Sequence, residues 1–248
     1  MKSGPAEAVS RKRAQRQQIG VKRRTAVNAV ILACSSLEKY VAAAQEKMKT
    51  DYPVITIDRA YHAEPEDMKK RIEEMIAGLP EEVDTVLVAM AFCGGAWDHV
   101  TVSKRVVIPK ADDCVSILLH TGEETEANLK ESGHLYIYEQ NPADFGAVRL
   151  MNDSSLIGEE YRNIDREMLM HMWFDQYHHM DIIDTGYNDC YTEAYAAAAQ
   201  EQADQIGAEL DYTAGSNTIL EKLVSGKWET QFIVAEAGKL IRHADFFD

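Results

Sequence analysis

Short, continuous apolar runs alternate with amphipathic stretches along most of the chain. Eight runs read as buried strands: residues 26–34 (AVNAVILAC), 52–58 (YPVITID), 84–92 (DTVLVAMAF), 105–111 (RVVIPKA), 134–139 (HLYIYE), 181–186 (DIIDTG), 208–212 (AELDY) and 230–238 (TQFIVAEAG). Between them, apolar positions recur at helical spacing in residues 36–50, 64–79, 191–207 and 217–226, and a short apolar helix is expected over 114–120. The helix boundaries carry their own punctuation. Ser35 or Ser36 can cap the first helix, while Pro65 opens the second and Gly78 closes it.

Strands that are apolar throughout and separated by helices imply a parallel sheet covered on both faces. Right-handed crossovers and short connections favour a Rossmann-like or flavodoxin-like α/β layer order. In the common 2-1-3-4 arrangement the first, third and fourth strands are neighbours. Residues 142–180 break the alternation and read as a helical insertion. Its segment 159–180 looks like one long helix rich in Met and aromatic residues, which suit packing more than a cofactor box. His178 and His179 would point to different faces of that helix. The chain is thus expected to be one α/β domain over 25–248, with 25–140 and 181–248 as two sub-lobes in an alternative division.

Charge changes the picture at one end. The net charge of −15 hides a basic arm: residues 1–24 hold Lys2, Arg11, Lys12, Arg13, Arg16, Lys22, Arg23 and Arg24 against Glu7. The arm is expected to be a disordered extension, and the remainder is too acidic to neutralise a phosphate backbone, which argues against a nucleic-acid-binding domain. No uncharged apolar run is long enough to span a membrane, and no secretory signal follows the arm. A cytoplasmic protein is expected, so its four cysteines are not expected to form disulfides. No CxxC pair occurs, which excludes the usual zinc-ribbon and thioredoxin patterns.

Three of the cysteines close or directly follow predicted strands: Cys34, Cys93 and Cys114. In an open α/β sheet the carboxyl ends of the strands form one rim, where ligands bind. Convergent thiolates suit a soft ion, so these three are candidate ligands to zinc or an iron–sulfur cluster. Cys190 follows a later strand and is either a fourth ligand or a buried thiol. Gly94 and Gly95 let the backbone approach a cofactor closely, and Gly215 and Ser216 open a helix whose N–H groups suit an anion. Asp112, Asp113 and His99 are candidate catalytic groups. The two aspartates equally suit capping the helix that follows them. His62 follows the second strand and also faces the rim. HExxH, GxSxG and GxxxxGK[ST] are absent.

The ordered strings ILACSSL, AFCGG, VIPKADDCVSILL, DTGYNDCY and LEKLVSGKW with FIVAEAG resemble the family catalogued as domain of unknown function 1638 over roughly residues 28–238. Genes of that family often stand beside corrinoid-dependent methyltransferase genes. The resemblance therefore implies one-carbon metabolism by association. The resulting expectation is a metal-dependent enzyme acting on a small molecule, with methyl transfer as its reaction. Its alternatives are a non-catalytic accessory or redox protein of a corrinoid methyltransferase system, with a corrinoid protein as partner, and a metal-free small-molecule binding module.

Overall fold

The computed structural model describes residues 28–142, 145, 161 and 163–248. The basic arm lies outside them, as does most of the segment 143–162.

All eight predicted strands form, in two sheets. The larger contains β1 (Ala29–Cys34), β2 (Val54–Ile57), β3 (Thr85–Ala89), β4 (Arg105–Pro109) and β8 (Phe232–Ala235), in the order β2-β1-β3-β4-β8. The first four are parallel, which gives the expected 2-1-3-4 order, and β8 pairs antiparallel with β4 at the edge. Strands β1 and β3 are buried at every position, whereas edge strand β2 buries only Ile57. This is the burial expected when a parallel sheet is covered on both faces.

Helix α1 (Glu38–Met48) follows β1, and α2 (Pro65–Ala77) connects β2 back across β1 to β3. Right-handed crossovers in these opposite directions put the two helices on opposite faces of the sheet. The side chains of Met68, Ile72 and Ile76 show why α2 packs: they recur every four residues on one buried stripe. The six-residue α3 (Cys114–Leu119) begins just beyond β4, and α6 (Thr218–Ser225) packs beside α1 over β3 and β4.

The smaller sheet joins β5 (His134–Ile137), β6 (His179–Asp184) and β7 (Glu209–Ala214), all parallel. Helix α5 (Glu193–Ile206) covers one face, where Ile137, Met180 and Ile182 meet Tyr195, Ala199 and Ala203 in a second core. The long helix expected over 159–180 is replaced by α4 (Arg166–Phe174) and the start of β6. His178 and His179 both donate their N–H groups to the Gly133 carbonyl, 2.8 and 3.2 Å away, so pairing beside β5 ends the helical course. Met168 and Met172 remain exposed, and Leu169 and Phe174 are the buried residues of α4. The C-terminal α7 (Ala244–Phe247) sets Phe246 against Phe92.

The two sheets meet through specific contacts. Tyr40 of α1 donates to the Tyr138 carbonyl at 2.6 Å, and Tyr195 of α5 donates to the Glu139 carbonyl at 2.8 Å. Gly215 occupies the tightest part of this joint. A Cβ there would lie 2.2 Å from Ile183 Cγ2 and 2.9 Å from the Leu118 carbonyl oxygen, so only glycine fits.

Candidate metal centre

Cys34 is the last residue of β1, and the chain turns at once into a 3-10 segment, Ser35–Leu37. Another 3-10 turn, Arg59–Ala63, follows β2, and Asp58 caps it by accepting from the Ala60 N–H at 2.9 Å. That turn carries His62. Asp113 caps α3 by accepting from the Ser116 N–H at 2.8 Å, which fixes Cys114 as the helix's first residue. Strand order then does the rest. β2, β1 and β4 all end at the same rim, and Cys34, His62 and Cys114 converge there with one ligand atom each, all within 4.8 Å of one another.

Within the group, Cys34 Sγ lies 3.7 Å from His62 Nε2 and 3.1 Å from Ser36 Oγ. Both thiols are buried, whereas His62 is exposed and forms the solvent side. The Cys34 thiol is held well above its usual value, first by its hydrogen bond with Cys114 and then by burial. Cys114 is also raised. Its hydrogen bond with Cys34 favours the thiolate, but the hydrogen bond with Cys93 and complete burial outweigh it. Tyr138 from the smaller sheet reaches the same spot. Burial followed by the nearby Cys114 pushes the pKa of its phenol well above the ordinary range, and Ser36 opposes that shift.

Cys93 adjoins this group through Cys114 but stands outside the mutually close set; His62 takes the place expected for it. It sits in a turn where Cys93, Gly94 and Gly95 all have positive φ, of 50, 68 and 105°. Left-handed backbone is natural for the glycines and costs a cysteine about 1 kcal/mol. The conformation is held by the Cys93 N–H, which donates to the Asp112 carbonyl at 2.7 Å and ties the β3 turn to the β4 turn.

The other sequence candidates have different surroundings. Asp112 and Asp113 face Lys130, at 3.1 and 2.5 Å. Burial works against the charge of Lys130, but its hydrogen bond with Asp113 and the two carboxylates hold its pKa above the usual value. His99 lies on the surface beside Asp98, with Nδ1 3.0 Å from the carboxylate. The N–H groups of Gly215 and Ser216 donate to the carbonyls of Asp184 and Leu118, both at 2.8 Å, and the Ser216 hydroxyl donates to the His120 carbonyl. The Gly215 N–H thus extends the β6–β7 pairing and both Ser216 groups join the two sheets, so these groups do not form an anion cradle. Cys190 is buried in the second core, apart from the other thiols. Burial and then the charge of Asp184 raise its pKa.

A cavity of about 210 Å³ opens beside the thiol group and shares Ser36 with it. Ser35, Lys39, Tyr40, Arg59 and Glu139 contribute to its lining. Arg59 and Glu139 form an ion pair at 3.1 Å across the junction of the two sheets. Burial raises the Glu139 pKa, and its own and the Tyr138 backbone N–H groups, with Arg59, oppose that shift. The cavity thus combines a paired arginine and glutamate with hydroxyl groups, a lining that suits a small polar molecule. Sequence reading placed His62 at the rim without assigning it a role, and it missed Ser36, Tyr138, Arg59 and Glu139. Tyr138 and Glu139 come from the smaller sheet, so no local pattern ties them to the cysteines.

Comparison with known families matches residues 56–224 to a family described as "Protein of unknown function (DUF1638)". No curated protein and no solved structure matches the chain. Among the described residues no helix is long and apolar enough to cross a membrane.

Proposed function

The chain belongs to the DUF1638 family, and we propose that it is a metal-dependent enzyme in which Cys34, Cys114 and His62 hold one zinc ion beside a small-molecule cavity. The convergence of those three ligand atoms within 4.8 Å carries this reading. Ligands of a tetrahedral zinc, bound at about 2.0–2.3 Å, stand about 3.5–4 Å apart, so the spacing suits one ion rather than a larger iron–sulfur cluster. Two sulfurs and one imidazole form a donor set known from catalytic zinc, where the fourth position stays open for substrate. Burial of both thiols keeps competing water away from the sulfurs. Cys93, in contact with Cys114, supports the group from behind.

A zinc in this place would act as a Lewis acid on a group entering from the cavity, and would lower the pKa of a bound substrate thiol or water. Arg59 and Glu139 would orient the polar remainder of the molecule. Methyl transfer fits such a site: a substrate thiol would lose its proton to solvent on binding zinc, and its sulfur would take the methyl group from a methyl-corrinoid donor, which departs with the electron pair of the broken bond. That finer reading rests on the donor set and on the one-carbon association of the family.

The deciding experiment is metal analysis of protein purified without oxygen, beside Cys34→Ser and Cys114→Ser. One zinc per chain in the wild type, lost in both variants, supports the reading. Full-length, folded protein that cannot be loaded with zinc refutes it and favours a metal-free binding module. A brown protein with several irons per chain would instead assign a cluster.

A further inference from the structure

A second group of metal-ligating side chains lies on the smaller sheet, on strands that contribute nothing to the zinc site. Its position follows from the register. In β6 and β7, His179 pairs with Glu209 and Asp181 with Asp211, and in β5 His134 pairs with His179. Side chains two residues apart on a strand share a face, so His134, His179, Asp181, Glu209 and Asp211 all project from one face. The opposite face is the one packed on α5. Parallel sheets are usually buried on both faces, yet here one end of a face carries ionisable groups in all three strands.

Three of them converge. His179, Glu209 and Asp211 offer ligand atoms all within 4.8 Å of one another, with His179 Nδ1 3.3 Å from Asp211 Oδ2. The neighbouring His134 stacks on His179 with ring centroids 4.4 Å apart and planes 13° from parallel. His134 Nδ1 lies 2.6 Å from Asp181 Oδ2, and Asp181 is buried. Glu131 adds a further carboxylate, 3.7 Å from His134 Nε2.

The surroundings of the three are acidic. Four carboxylates gather on this patch, those of Glu131, Asp181, Glu209 and Asp211; among the described residues His134 pairs with Glu131 and Asp181, His179 pairs with Asp211, and no lysine or arginine pairs with any of the four.

We infer that His179, Glu209 and Asp211 form a second metal site, for a divalent transition ion that prefers mixed nitrogen and oxygen ligands. Open to solvent, the site leaves several positions for water. One imidazole and two carboxylates suit Zn²⁺, Co²⁺, Ni²⁺ or Mn²⁺ rather than a soft ion that demands thiolate. The bound ion would fasten β6 to β7 at the end of the sheet remote from the cavity.

Cobalt tests the inference because its spectrum separates thiolate from nitrogen and oxygen ligands. Full-length wild type, His179→Ala and Asp211→Asn are dialysed against Co²⁺ alone, and bound cobalt is counted. Each variant is expected to bind one ion fewer than wild type, or to bind that ion at least about tenfold more weakly. The lost ion should contribute only weak visible bands, while intense near-ultraviolet sulfur-to-cobalt absorption, if present, stays unchanged. Failure of the zinc reading would remove that intense absorption from every protein and leave the difference of one ion intact. Equal cobalt in the wild type and both variants would overturn the second site. Asp211 is exposed, so Asp211→Asn keeps the test decisive if His179→Ala fails to fold, and circular dichroism checks both variants.

Discussion

The protonation of Cys34 and Cys114 gives the sharpest test of the thiol site, because binding zinc should reverse the sign of the protein's pH dependence. Both thiols are held above their usual value of 9.0 in the folded, metal-free chain. The unfolded chain releases these protons near 9.0, and the folded chain retains them. Their contribution to stability is therefore fully present below pH 9 and is lost as pH rises above it. Two such groups should cost about 1.6 kcal/mol between pH 8 and 9.5. For a chain of this length that is a fall in Tm of about 3–6 °C. Cys190 is raised from the same 9.0, and it stays in the double variant, so its share cancels in the comparison below; Tyr40, Tyr138 and Tyr195 are raised from 10.0, so most of their effect begins above this window.

With zinc bound, the same sulfurs are thiolates in the folded state and thiols in the unfolded state below pH 9. Stability should then rise with pH up to about 9 and fall as pH is lowered, because protons compete with the metal. Apparent zinc affinity should change about 100-fold per pH unit below pH 9, reflecting two displaced protons. Denaturation at a series of pH values, with and without zinc, and chelator competition measure both effects. The Cys34→Ser/Cys114→Ser double variant is the baseline. If the metal-free wild type matches that baseline between pH 8 and 9.5, the two thiols are not held protonated by the fold. If zinc leaves the slope unreversed, they are not its ligands.

Other substitutions test the remaining assignments. Gly215→Ala forces a Cβ against Ile183 and the Leu118 carbonyl and should cost about 1–3 kcal/mol, seen as a lowered denaturation midpoint; an unchanged midpoint would free this loop for a ligand-binding role. Arg59→Ala removes the ion-pair partner of the partly buried Glu139, which keeps its backbone N–H donors, and should cost about 1–2 kcal/mol, whereas Arg59→Ala/Glu139→Gln should recover part of that loss in a double-mutant cycle. His99→Ala should leave stoichiometric zinc unchanged, since His99 pairs with Asp98 on the surface; loss of zinc would place it in the site.

The larger sheet was readable because each of its strands is a local signal. β1 and β3 are buried at every position, and their continuous apolar runs say so. Strand order also followed, since short right-handed crossovers leave few arrangements for four parallel strands. The smaller sheet was harder to read. The residues His179, Met180, Asp181 and Ile182 do alternate polar and apolar, yet the helical pattern of residues 166–174 runs straight into them. Only the partner strand β5 decides between the two, and a partner strand is not a local feature. The same limit explains Cys93 and His62. Both follow strands and both face the rim, but which one meets Cys34 and Cys114 depends on the turn geometry, including the left-handed residues 93–95.

The site also belongs to both sheets, and this bears on how it works. Cys34, His62 and Cys114 come from strand ends of the larger sheet, while Tyr138 and Glu139 arrive just beyond β5 of the smaller one. Tyr138 lies near enough to the thiol group for Cys114 to raise its pKa, and Glu139 meets Arg59 in the cavity wall. Neither contact survives if the sheets separate. The joint that prevents this consists of buried, directional contacts: Tyr40 and Tyr195 on consecutive carbonyls, and Gly215 wedged beneath Leu118. Such contacts tolerate little displacement, because a hydrogen bond weakens steeply with angle and a packed glycine has no room to give. The cavity walls are therefore held in place before any ligand arrives, which suits a site that binds by preorganisation. Zinc on the larger sheet and a second cation on the smaller one would each tighten a different half of this frame. The arrangement of Arg59 and Glu139 around the cavity depends on both halves.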